Sequence, residues 1–235
     1  MLNLKKAIAI LIVATFLASI PLTISSAQSD LIQVDYTIKV GEYNAKPSGT
    51  PGKPAAEYKI LLNRYITITP VVLTVYTTNT EGITPGTFAS VIGLAAETWD
   101  EATTVELAND VINTVSDEAG QLLANNVNAV FFADLDSSTI AVASVWYNRF
   151  TRKIVECDIR FNTDFDWGNA EIETLPVMDL QNIATHELGH FFNLADIYDS
   201  TKSYLTMYGS SYEGDIEKRT LADGDKAVIV AVFGP

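Results

Sequence analysis

The chain has 235 residues, with 15 basic and 29 acidic side chains and a net charge of −14 at neutral pH. That excess of carboxylates argues against nucleic acid and anionic membrane surfaces as partners, while it attracts cations. A single cysteine excludes any disulfide within the chain.

The first 27 residues read as an export signal. Lys5 and Lys6 precede an almost wholly apolar run over 7–24, and Ser25-Ser26-Ala27 offers small residues to a signal peptidase. An apolar run of about 18 residues can also span a bilayer, so an uncleaved anchor competes. Pro21 and the small-residue exit favour cleavage, which places the protein outside the cell or on the envelope exterior. Loss of Lys5 and Lys6 leaves 13 basic against 29 acidic residues, a net of −16. Export without disulfides inclines towards a prokaryotic source.

Residues 30–43 alternate weakly through Val34, Tyr36, Ile38 and Val40 and predict a strand. Residues 44–56 carry three prolines and two glycines and predict a loop or linker. The 58–69 and 71–77 stretches are rich in branched and aromatic residues and predict strands. Thr84-Pro85-Gly86 then opens a helix, with threonine as cap and proline in the first turn. Phe88, Val91, Ile92, Ala95 and Trp99 recur along it at helical spacing and are expected to face the core. Residues 104–127 fit a short strand with loops as well as a second helix. Strands are expected over 129–133, 140–147 and 153–161, with a turn at 134–138, and 162–176 forms an acidic loop holding Trp167 and Gly168.

Cys157 lies in the 153–161 strand. A period of two puts Val155, Cys157, Ile159 and Phe161 on one face and Glu156, Asp158 and Arg160 on the other. Cys157 is therefore expected to be a buried core residue, not a thiolate that holds a metal in a latent state.

The most informative stretch runs from His186 to Asp196. Asp179 supplies a cap for a helix whose apolar stripe is Leu180, Ile183, Ala184, Leu188 and Phe191. His186 and His190, the only histidines, stand four apart on one flank of that stripe, so both imidazoles address one point. Glu187 can hold a water beside that point. Two ordinary helix histidines are the alternative for a match that fixes only three positions. A third ligand requires the chain to leave the helix sharply, and Asn193 is a good non-glycine residue for positive φ. Asp196 then follows where the chain folds back; a surface aspartate at a helix exit is the alternative.

The run His186-Glu187-Leu188-Gly189-His190-Phe191-Phe192-Asn193-Leu194-Ala195-Asp196 resembles the metzincin motif HExxHxxGxxH/D, with asparagine in place of glycine and aspartate in place of the commoner third histidine. Ser203-Tyr204-Leu205-Thr206-Met207-Tyr208 is similar to the methionine turn of matrixins. Residues 221–234 are similar to the matrixin C-terminal helix, and 71–99, a strand then a helix ending in Trp, to the start of that catalytic domain. The likeness covers 58–235, while the propeptide cysteine motif and the histidines of a structural zinc are missing.

This resemblance implies an α+β fold with a twisted, mostly parallel sheet, packed helices, an active-site helix, a Met-turn and a C-terminal helix. It makes 58–235 a catalytic domain, preceded by the signal peptide (1–27) and the N-terminal strand and linker, with room for a short pro-segment (28–57), that the composition suggests. It also implies a monomeric zinc endopeptidase: one Zn²⁺ on His186, His190 and Asp196, Glu187 as general base, Met207 beneath the metal, and a peptide substrate extended along a sheet edge. Tyr204, Tyr208 and Tyr212 are candidates to steady an oxyanion, with packing as the plainer role. Three alternatives stay open: Glu213 as third ligand, a non-catalytic exported zinc-binding module of the same fold, and a calcium ion at Asp164 and Asp166 in place of a solvated acidic loop.

Overall fold

The computed structural model describes residues 30–41, Ile60 and 66–235. The 1–27 leader and the 44–56 linker lie outside the described residues, as does most of the 58–69 stretch.

Branched residues and period-two patterning produce one large sheet. Strands β1 (Leu31–Val40), β2 (Ile66–Thr67), β3 (Leu73–Tyr76), β4 (Asn113–Val115), β5 (Asn128–Ala133), β6 (Thr139–Asn148), β7 (Lys153–Asn162) and β10 (Ser210–Ser211) run in the order β10-β1-β6-β7-β5-β3-β4, with β2 added on β7. The pairings are parallel except for β1 with β6 and β6 with β7. Two further short strands, β8 (Trp167–Gly168) and β9 (Met178–Asp179), form a parallel pair of their own. The 104–127 stretch holds one strand, β4, among loops and no helix.

Helix α1 (Pro85–Asp100) starts at Thr84, whose hydroxyl accepts the Thr87 N–H at 3.2 Å, with Pro85 in the first turn. Phe88, Ile92, Ala95 and Trp99 are fully buried, while Val91 is only partly so. Helix α2 (Leu180–Phe191) packs against α1 on one side and β6 and β7 on the other. Helix α3 (Asp223–Phe233) closes the chain. The fold is thus α+β, a mostly parallel sheet with three α-helices, and no described helix is long and apolar enough to cross a membrane.

The alternation expected for β7 holds from Cys157 to Phe161 and fails before it. Trp146 pairs with Glu156 and Tyr147 with Ile154, so Val155 is an extra residue in the ladder. Such a bulge flips the side chains beyond it. Ile154 takes the core place and Val155 is half-buried. The polar face is covered as well: Glu156 and Asp158 are fully buried. The loop before β5 lies over them, and they accept its backbone N–H groups, Asn125 and Asn126 on Glu156, Leu123 on Asp158. Buried amides need acceptors, and these carboxylates supply them.

Cys157 sits in the core, 1% exposed. Burial pushes its thiol well above the ordinary value, and the carboxylates of Asp158, Glu187 and Glu156 add to the effect.

Candidate metal centre

Helix α2 carries the site because of how its two ends are tied. At the start, Asp179 Oδ1 accepts the Asn182 N–H at 2.8 Å, a cap worth about 1 kcal/mol. The Arg219 guanidinium pairs with the same carboxylate. At the end, the Thr67 hydroxyl donates to the Phe191 carbonyl. Asn193 follows with φ 72°, the left-handed turn that asparagine tolerates well. The chain then reverses, and the Leu194 N–H returns to the Gly189 carbonyl at 3.0 Å.

That reversal brings Asp196 back beneath the helix. Its Oδ1 lies 3.2 Å from His186 Nε2 and 3.6 Å from His190 Nε2. The other ring nitrogens are engaged by backbone. His186 Nδ1 meets the Thr206 carbonyl at 2.7 Å, and His190 Nδ1 meets the Leu194 carbonyl at 2.8 Å. A carbonyl can only accept, so each Nδ1 carries the proton and each Nε2 presents a lone pair. Three acceptor atoms therefore converge, all buried and none with a hydrogen-bond partner.

Three facing lone pairs repel one another unless a cation lies between them. Zinc bonds of about 2.1 Å in a tetrahedron give ligand–ligand edges of about 3.4 Å, and the separations of Asp196 Oδ1 from the two Nε2 atoms bracket that value. Among the described residues, His186, His190 and Asp196 are the one group of three such side chains close enough to share a metal ion.

The protonation states suit that use. Burial pushes His190 down to about 4, so its imidazole is neutral at ordinary pH. Burial pulls Asp196 upwards, but its interactions with His190, His186 and the Tyr198 hydroxyl outweigh it and hold the carboxyl below its usual range. Tyr198 donates to Asp196 Oδ2 at 3.1 Å and is itself pushed up to about 12, by burial and then by the Asp196 charge.

Glu187 is fully buried, and neither of its carboxylate oxygens makes a hydrogen bond of good geometry, although the Ala143 N–H lies close enough to favour the charged form. Burial, then the charge of Asp196, pushes it well above the carboxylate range. Burying an unpaired carboxylate is costly, which marks Glu187 as a candidate functional group.

Met207 lies in the packed core, 1% exposed. A Cβ on Gly189 would run into its sulfur and into the Trp99 ring. Hydrogen, the smallest substituent, is what lets helix and turn touch at this point. The turn is fixed by Asp225 of α3, whose Oδ2 accepts the Thr206 N–H at 3.0 Å and the Ala222 N–H at 3.1 Å.

Several sequence-derived candidates fall elsewhere. Glu213 is exposed beyond β10, outside the converging group. Asp164 and Asp166 are exposed and join no group of three. Tyr208 lies under the Lys218 ammonium, 5.8 Å from the ring centroid. Sequence reasoning did not single out Tyr198 or Asp225. A tyrosine two residues beyond Asp196 was the one signal for the first, and an acidic residue in the opening turn of α3 for the second. Comparison with protein-family models and with the curated proteins finds no match for the chain.

Proposed function

We propose that the protein is an exported zinc-dependent endopeptidase of the metzincin type, close in plan to the matrixins. One observation carries this reading: three buried acceptor atoms converge without partners beside a buried carboxylate that also lacks a hydrogen bond of good geometry. A fold that needed none of this chemistry would fill the place with apolar side chains at lower cost.

His186 Nε2, His190 Nε2 and Asp196 Oδ1 would hold the metal, and zinc bound there would lower the pKa of a water and polarise a peptide carbonyl. Glu187 receives the proton of that water and delivers it to the departing amine nitrogen. Burial raises the affinity of Glu187 for a proton, and a nearby dication lowers it again, a balance that suits both halves of the transfer. Thr206 and Leu194 fix the tautomers so that both Nε2 atoms stay free for the metal. Met207 supplies a soft, close-fitting floor. The third ligand being a carboxylate leaves the metal firmly bound and a slightly weaker Lewis acid than three histidines would.

Zinc analysis joined to casein digestion tests the reading. The expected result is one zinc per chain, digestion stopped by a chelator, and a Glu187→Ala variant that keeps zinc and loses digestion. A chain that takes up no zinc, or digestion that survives Glu187→Ala, overturns it.

A further inference from the structure

Strand β1 precedes the rest of the domain in sequence, yet it lies between two of its later elements. It runs antiparallel to β6, from Leu31 opposite Asn148 to Lys39 opposite Thr139, and parallel to β10. Backbone bonds join it on both sides: Lys39 N–H to Gly209 O at 3.2 Å, Gly41 N–H to Ser211 O at 2.8 Å, and Val40 N–H to Ser138 O at 3.1 Å. Tyr36 and Ile38 pair with Ala143 and Ala141 of β6, on the face turned to α2. The Tyr36 ring stacks on His190, centroids 4.9 Å apart and planes at 26°. Ile38, two residues on, is fully buried.

The polar atoms of the site are closed to solvent, and Tyr36 of β1 lies stacked on one of its rings. His186 Nε2, His190 Nε2, Asp196 Oδ1 and both oxygens of Glu187 are all buried. A hydrolytic centre needs water and substrate at those atoms. Yet β1 has little hold on the core. Ile38 alone among its ten residues is buried, and Ile32, Gln33, Asp35 and Val40 are exposed.

We propose that β1 is an internal occupant of the peptide-binding cleft, lying where an extended substrate would lie, and that the chain is latent until the strand leaves. The inference rests on the endopeptidase reading and deepens it. A strand paired on both sides reproduces peptide recognition by β-addition, in which the backbone supplies affinity and alternate side chains supply choice. Tyr36 and Ile38 are the side chains that enter. Preferred substrates are therefore extended peptides with an aromatic residue followed, two positions later, by a branched aliphatic one. Cys157, locked in the core, takes no part. Tethering gives β1 an effective concentration on the order of millimolar, enough to exclude a peptide of similar intrinsic affinity.

The test uses the full-length zinc-loaded chain, an Ile38→Asp variant that puts a charge in the buried position, and a Tyr36→Ala variant. Two readouts run side by side: hydrolysis of a quenched peptide, and binding of a fluorescein-labelled peptide with the sequence of residues 30–41, the latter in a Glu187→Ala background. Both variants should hydrolyse faster than the parent and bind the labelled peptide more tightly, by about tenfold or more for Ile38→Asp. Unlabelled peptide should inhibit the variants. Equal rates and equal binding in parent and variants overturn the occupancy of the cleft while leaving the endopeptidase reading intact. Tighter peptide binding with no hydrolysis by any form sinks the endopeptidase reading and keeps the occupancy. Loss of the cooperative thermal transition in Ile38→Asp also overturns the proposal, because it makes β1 a strand the fold requires; Tyr36→Ala then has to match the parent in both readouts.

Discussion

The backbone of a single residue, Thr206, links Asp225 to His186: its N–H points at Asp225 and its carbonyl takes the Nδ1 proton of His186. The C-terminal helix thereby sets the orientation of a ring in the middle of the domain. Asp225→Ala should lower zinc affinity by roughly tenfold, the lower range for groups that orient a ligand from behind. Competition against a chromophoric chelator measures it, and unchanged affinity would show that Thr206 is held by the turn alone.

Tyr198 acts on the other ligand. Its side chain is largely exposed, 65%, so Tyr198→Phe should leave stability unchanged while removing the bond to Asp196 Oδ2. A few-fold loss of zinc affinity is expected. Gly209→Ala should cost more, because the added Cβ would strike the Tyr198 ring and come within 3.2 Å of Asp196 Oδ1. The same titration ranks the two, and the reverse order would contradict this geometry.

Gly189→Ala introduces one methyl where Met207 and Trp99 already meet the helix. Overpacking of this kind costs about 1–3 kcal/mol. A urea melt of the metal-free protein should show the loss. A melt identical to the parent would mean that Met207 moves aside freely.

Asp158 should shape the pH dependence of stability. Burial pushes it up to about 7 from an ordinary 3.8, and the Ala129 and Leu123 amides oppose that only in part. Below about pH 4 both folded and unfolded chains hold the proton, and above about pH 7 neither does. Between these limits only the folded chain holds it, so this group's contribution is full at low pH and is lost as pH rises through 7. Asp158→Asn should flatten the fall in stability measured by urea melts across that window, with Glu156, shifted the same way by burial, leaving a residual slope.

Cys157 should be inert towards a thiol reagent in the native protein and react once in urea, since it is buried and its thiol is pushed up. Rapid native labelling would mean that the β6–β7 core opens readily.

Much of the site was legible because its signals are local. The cap at Asp179, the four-residue spacing of His186 and His190 and the positive φ of Asn193 each depend on a few neighbouring residues. Asp196 followed from the turn. The fold was legible at the level of strands and helices, but pairing is not written in a period of two. Nothing in Val34, Tyr36, Ile38 and Val40 says that their strand inserts between β6 and β10. The bulge at Val155 was equally hidden, since a break in register depends on the partner strand. Glu156 and Asp158 read as a polar face, and only the path of the loop before β5 reveals why they are inside.

The contact of Gly189 with Trp99 and Met207 has a consequence for divergence. Three positions far apart in sequence share one small volume, so none of them is free to drift by itself. Any descendant that enlarges residue 189 has to shrink 99 or 207 in step, and covariation among these columns is the mark such a history would leave.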